Sequence, residues 1–253
     1  MNTPTLEAAQ DGLVAFLLVS MRVTGLVMLS PPFTSAPRFV RIAFVLAFSA
    51  ALFRAPAVAA DIDLGALLIL FVEEFLRGTL MAFGVIVGFA AFSFGARLID
   101  VQVGFGLGQV LDPSTQRPTP VLSAAFTLLA SVVFLATDGH HMMLRGFALG
   151  LERFPVAAPW PTEFMGQGVF HQVQGLFTLG LAMVAPVVLC LVLVELGLGA
   201  MARNLPQMNV FVLGIPIKVL SALTALAVWA LAMSTPMARV FESIFRAWEA
   251  SFR

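Results

Sequence analysis

The sequence predicts an all-α, polytopic integral membrane protein with about six long apolar helices, and two observations carry that prediction. Of 253 residues, 60% are hydrophobic and only 11% charged, whereas soluble globular domains carry about a quarter charged residues. The apolar residues also come in long runs without strict alternation, near the roughly 20 residues that cross a bilayer core of about 30 Å as a helix. Backbone in lipid must satisfy its own hydrogen bonds, and a helix does so segment by segment.

The opening residues hold Glu7 and Asp11 but no Lys or Arg. They lack the basic start of a secretory signal, so the first apolar run, Gly12 to Leu29, is expected to stay in the mature protein. The second run extends from Phe39 to about Phe53 and the third from Leu64 to about Ile99. The fourth, Val121 to Ala136, is followed by Asp138-Gly139-His140, which reads as a helix stop. The fifth runs from Val169 to about Ala202 and the last from Asn209 to Met233. At 1.5 Å per residue the third and fifth would each be about 50 Å long, so they are expected to tilt, bend or leave the bilayer. Pro186 and Pro216 remove a backbone donor and predict kinks. In the tail from Met237 to Arg253, Val240, Phe241, Ile244, Phe245, Trp248 and Phe252 share one helical stripe opposite Arg239, Glu242, Arg246, Glu249 and Arg253. That pattern predicts an interfacial or partner-docking helix.

Charges sit inside the apolar runs: Arg22 in the first, Glu73, Glu74 and Arg77 in the third, Glu195 in the fifth and Lys218 in the last. A charge at the centre of a lipid-facing helix costs about 3 kcal/mol, so several helices are expected to face protein or water. Glu73 and Glu74 lie four and three residues before Arg77, within reach on one helix face. A local ion pair is the plain reading and a functional relay the alternative. Arg38 and Arg41, against Glu7 and Asp11, favour an outside N-terminus and a cytoplasmic first loop.

Composition excludes several classes of function. Lys+Arg and Asp+Glu both number 14, so there is no basic stripe for nucleic acid. The single cysteine, Cys190, is embedded in an apolar run and reads as core filling. Gly104, Gly106 and Gly108 follow no strand, and Gln109 stands where a dinucleotide fingerprint needs its third glycine. His140 and His141 are adjacent, so on a helix they point about 100° apart and are not expected to chelate one metal. Ser123 and Ser131 have no base nearby in sequence. No catalytic residue, cofactor or metal ligand is expected.

The stretch GFGLGQVLDPSTQRPTP, Gly104 to Pro120, stands apart in so apolar a chain. Asp112-Pro113-Ser114-Thr115 suits an exposed turn. The alternative is irregular backbone at membrane depth, which is tolerated only when buried in protein or lining an aqueous path. Composition leaves both open.

Four segments resemble the FliR family of the flagellar type III export gate, whose injectisome counterpart is SctT. They are Arg22-Val23-Thr24-Gly25 continuing to Ser30-Pro31-Pro32-Phe33; Gln109-Val110-Leu111-Asp112-Pro113-Ser114; Asp138-Gly139-His140; and Pro206-Gln207-Met208-Asn209-Val210-Phe211, continuing to Lys218. They span nearly the whole chain. The resemblance implies a non-enzymatic inner-membrane subunit at the flagellar basal body, assembled with FliP and FliQ into a hetero-oligomeric protein-conducting pore. Other export-apparatus subunits, unfolded exported flagellar proteins and membrane lipid are the further implied partners. It implies a FliP-like helical region over residues 1–165 and a FliQ-like helical hairpin with an amphipathic C-terminal helix over 166–253.

The resemblance also implies that the glycine-rich stretch is a pore plug, with Gly104, Phe105, Gly106, Leu107, Gly108, Val110, Leu111, Asp112 and Pro113 as its residues. Arg22, Glu73, Glu74, Arg77, Glu195 and Lys218 are the candidate intramembrane or subunit-contact charges, and an intersubunit salt bridge is expected at Lys218. The flagellar branch is preferred because Pro206 to Lys218 and Asp112-Pro113-Ser114 are more similar to it. An injectisome subunit is the nearest alternative. A secondary transporter would use internal repeats, and none is visible.

Overall fold

A computed structural model describes residues 3–34, 36–53, 63–104, 121–159, 162–204 and 210–251. The described residues contain helices and no strand: α1 Thr3–Leu29, α2 Pro31–Thr34, α3 Arg38–Leu52, α4 Leu64–Val103, α5 Val121–Ala136, α6 Gly139–Arg153, α7 Thr162–Asn204, α8 Val210–Ala230 and α9 Ser234–Ser251. The all-α class therefore stands, with a smaller count of spans. Among the described residues, four helices are long and apolar enough to cross a membrane, and a fifth span results if α5 and α6, bent by 71° at their junction, count as one. Helix α3 has 15 residues, about 22 Å, short of a bilayer core.

Two expectations are corrected. The helix stop at Asp138-Gly139-His140 ends α5, but it also starts α6, which the sequence reading left out. Asp138 adopts the left-handed conformation, φ 57° and ψ 24°, and the helix resumes at Gly139. Asp is one of the few residues besides glycine that tolerates this geometry. The tail helix α9 forms as expected, but the chain itself covers its apolar stripe, with Val240, Phe241, Ile244 and Trp248 all buried. Phe252 lies outside the described residues. Pro186 and Pro216 lie inside the continuous helices α7 and α8.

The chain divides into two compact units, each assembled from separate stretches. The first comprises Met1–Val87, Phe134–Gln172 and Ile244–Arg253. Within it α1 and α4 meet backbone to backbone. A Cβ on Gly25 would lie 2.5 Å from the Phe75 carbonyl oxygen, and one on Gly78 would overlap the Arg22 carbonyl. Small residues at such crossings let membrane helices approach closely. Trp248 packs against Gly84 and Gly146 in the same way, its Nε1 donating to the Met81 carbonyl at 3.2 Å.

The second unit comprises Gly88–Val133 and Val173–Ser243. Here α4 and α7 cross at Gly95 and Gly180: a Cβ on Gly95 would lie 2.6 Å from the Gly180 carbonyl, and one on Gly180 would lie 2.7 Å from that of Ala91. Phe92 stacks on Phe241 at 5.2 Å between ring centroids. Trp229 Nε1 donates to the Met183 carbonyl at 2.7 Å. These contacts hold α7 and α9 against the second half of α4, and α8 against α7.

Candidate functional site: a buried charge node and an anchored segment

The close α1–α4 crossing in the first unit places Arg22 beside Glu74. Arg22 lies three residues before Gly25 on α1, and Glu74 four residues before Gly78 on α4. With no side chains between the backbones, Arg22 Nε donates to Glu74 Oε2 at 2.5 Å. Glu74 Oε1 accepts from Arg77 Nη1 at 2.8 Å and from the Ala157 backbone N–H at 3.0 Å. The Glu74 side chain is fully buried, and both arginines are 4% exposed.

Glu73, half exposed, lies 3.5 Å from Arg77. The helix-face reading of Glu73, Glu74 and Arg77 therefore holds for both carboxylates. Sequence spacing gave no sign that Arg22, 52 residues away, completes the node.

The arginines also reach the irregular segment after α6. Arg22 Nη1 donates to the Phe154 carbonyl at 2.8 Å, and Arg77 Nη2 to the Ala158 carbonyl at 2.5 Å. Ala157 itself takes a left-handed backbone, φ 63°. Guanidinium groups have five donors in a rigid fork, so one arginine can bridge a carboxylate and a carbonyl at once. The node thus ties α1, α4 and residues 154–158 together without leaving either charge unpaired, as intramembrane charges require.

In the second unit a buried carboxylate secures the flanks of the glycine-rich stretch. Gly104, φ 89°, ends α4, its N–H donating to the carbonyls of Asp100 and Val101. Its positive φ suits glycine at a helix C-terminus. Asp100, 3% exposed, accepts from the Leu122 N–H at 3.2 Å and the Ser123 N–H at 3.0 Å. Those amides belong to the first turn of α5, which lacks intrahelical acceptors, and a carboxylate there also suits the helix dipole. The sequence reading missed Asp100, which stands directly at the end of the third apolar run, where an acidic residue was a signal. Of the expected plug residues only Gly104 is described. Phe105, Gly106, Leu107, Gly108, Val110, Leu111, Asp112 and Pro113 lie outside the described residues.

Glu195 on α7 and Lys218 on α8 form an ion pair at 3.0 Å. Glu195 remains 55% exposed and Lys218 20%. Of the four candidate spans the pair sits on the two least covered: 28% of the most apolar window of Phe170–Asn204 and 11% of that of Leu213–Ala230 are buried within the chain.

The structure corrects the geometric argument about the adjacent histidines. A ligand atom from each of Asp138, His140 and His141 lies within 4.8 Å of the other two. The two rings are 4.1 Å apart between centroids. A 100° divergence at Cβ does not fix where imidazole nitrogens, several bonds further out, come to lie.

These features occur in a chain whose sequence matches the family described as bacterial export proteins, family 1, over residues 13–244. It is 30% identical over 214 residues to the flagellar biosynthetic protein FliR of Bacillus subtilis, covering 81% of this chain and 82% of that one. FliR of Escherichia coli is 24% identical, with 82% of this chain and 80% of the relative covered. The Yop proteins translocation protein T of Yersinia pestis is 26% identical, with 73% of each covered. The match runs from within α1 into α9, so it takes in the charge node and Asp100 as well as the flanks of the glycine-rich stretch. With its long apolar helices, this chain belongs to the FliR family of bacterial export proteins, non-enzymatic inner-membrane components of the type III export apparatus.

Proposed function

We propose that the chain is a subunit of the flagellar type III export gate at the basal body, forming the protein-conducting pore with FliP and FliQ. It contributes Gly104–Pro120 as the plug that closes the pore to small solutes until an unfolded flagellar substrate passes. The observation that carries the plug reading is the anchorage of both flanks of that stretch. Asp100 holds the start of α5 beside the end of α4, so the two described flanks of the stretch are fixed at one place. A plug needs such fixed roots. The flagellar assignment is supported by the 30% identity to B. subtilis FliR, which covers more of the chain than the 26% match to the Yersinia protein.

Residues 1–165 form the FliP-like region in this proposal and 166–253 the FliQ-like hairpin. The uncovered apolar surfaces of α7 and α8 support that division, because their exposed Glu195–Lys218 pair is costly against lipid and is better met by neighbouring subunits. Native mass spectrometry of the complex extracted in mild detergent, from cells carrying a C-terminally tagged chain at native expression, tests the partnership. One copy of this chain with several copies of two other small polytopic proteins is expected. A stable monomer or homo-oligomer would overturn the proposal.

A further inference from the structure

We propose that Asp138, His140 and His141 form a binding site for a divalent transition-metal ion of the zinc class, at the elbow between α5 and α6. His141 Nδ1 already lies 3.1 Å from Asp138 Oδ1. Two ligand atoms on one tetrahedral ion, at about 2.0–2.2 Å from it, are separated by about 3.4 Å. That first pair is therefore spaced for a shared ion. All three ligand atoms lie within 4.8 Å of one another, so closure on one ion asks only for small side-chain rotations, that of the His140 ring among them.

Such a rotation costs His140 no hydrogen bond. Its Nδ1 is buried and has no hydrogen-bond partner, and a buried polar atom left in that state calls for an explanation. Coordination through His140 would turn this orphaned ring into a ligand. The Asp138 carboxylate makes no capping bond to α6 despite standing at its N-cap position. It faces His141 instead, where it would offset the repulsion between a cation and the positive end of the helix.

Two imidazoles and one carboxylate favour zinc-class ions over magnesium or calcium, which prefer all-oxygen sites. The side chains of Asp138 and His141 are 75% and 61% exposed, so an ion can enter from solvent. Three protein ligands leave a further coordination position for water or for a group on a neighbouring molecule.

The test uses the full chain, purified in detergent without a polyhistidine tag, in the assembly that copurifies with it. After chelator treatment it is titrated with Zn2+ alone at neutral pH by calorimetry. One Zn2+ per copy of this chain is expected in this binding phase, weakened at least about tenfold in His141→Gln and in Asp138→Asn. His141 is exposed enough for His141→Gln to fold normally, and unchanged assembly yield verifies it. Superimposable Zn2+ isotherms for the parent and His141→Gln proteins would overturn the proposal, leaving a plain carboxylate–imidazole pair. Absence of any Zn2+ uptake by the parent assembly would overturn it as well.

Discussion

Removing the Glu74 carboxylate tests whether the arginine node holds the first unit together. In Glu74→Ala, Arg22 and Arg77, each 4% exposed, lose the fully buried counter-charge they share, and the Ala157 N–H loses its acceptor. Breaking a buried ion pair by deleting one partner costs about 3–5 kcal/mol, because the remaining charge is left desolvated. A lost hydrogen bond at a half-buried amide adds about 1 kcal/mol. The expected destabilisation is therefore about 4–6 kcal/mol, a fall in melting temperature on the order of 10 °C for a chain of this size.

The assay is intrinsic tryptophan fluorescence on heating in detergent, with Glu73→Ala as the control. Glu73 is 49% exposed and 3.5 Å from Arg77, so its loss is expected to cost about 0–1 kcal/mol. Combining Arg22→Met and Arg77→Met with Glu74→Leu removes the charges together and is expected to recover most of the stability, since an apolar replacement of a whole buried charge cluster is often neutral or better. Equal melting of Glu74→Ala and the parent, or equal losses from Glu73 and Glu74, would refute the reasoning.

Five further outcomes are expected. Deleting residues 106–116 makes membranes leaky to small solutes once the complex is assembled, and tight membranes in a dye-efflux assay would count against the plug. Gly78→Ala, whose Cβ meets the Arg22 carbonyl, costs about 1–3 kcal/mol in thermal unfolding. Gly197→Ala, with nothing within 4 Å, instead stabilises α7 slightly, by up to about 1 kcal/mol. Lys218→Met lowers the yield of intact complex if the exposed face of its pair with Glu195 meets a neighbouring subunit, and unchanged yield removes that contact. Asp100→Ala speeds hydrogen exchange at the Leu122 and Ser123 amides, whereas unchanged exchange would show that the carboxylate does not hold them.

Much of the helical framework is legible because apolar run length is a local signal. The start of α4 at Leu64 and both ends of α5 fall where composition changes. Helix α6 was missed because Asp138-Gly139 signals a stop and carries no sign that the chain resumes at once. The tail's amphipathic stripe was legible, but what covers it is a matter of tertiary packing. The same limit applies to the charge node. Glu73, Glu74 and Arg77 could be joined by helical spacing, while Arg22 required the Gly25–Gly78 crossing. Asp100 shows the converse: its burial could be anticipated, but its partners, two amides more than twenty residues away, could not. For the histidines, the error lay in extending a rule about Cβ directions to the ends of flexible side chains.

The Asp100 anchorage bears on how the stretch between Gly104 and Val121 can vary. Closing a longer loop on fixed ends costs only about 0.6 kcal/mol of chain entropy for each doubling of length. Two hydrogen bonds to an ionised carboxylate are worth about 1.5–3 kcal/mol each. The junction of α4 and α5 therefore outweighs the pull of a lengthened insert, and the number and kind of residues between them can change while both helix ends stay in register. The junction itself thus sets no tight limit on the length of the insert, and the constraint on its residues comes from their proposed work as the plug.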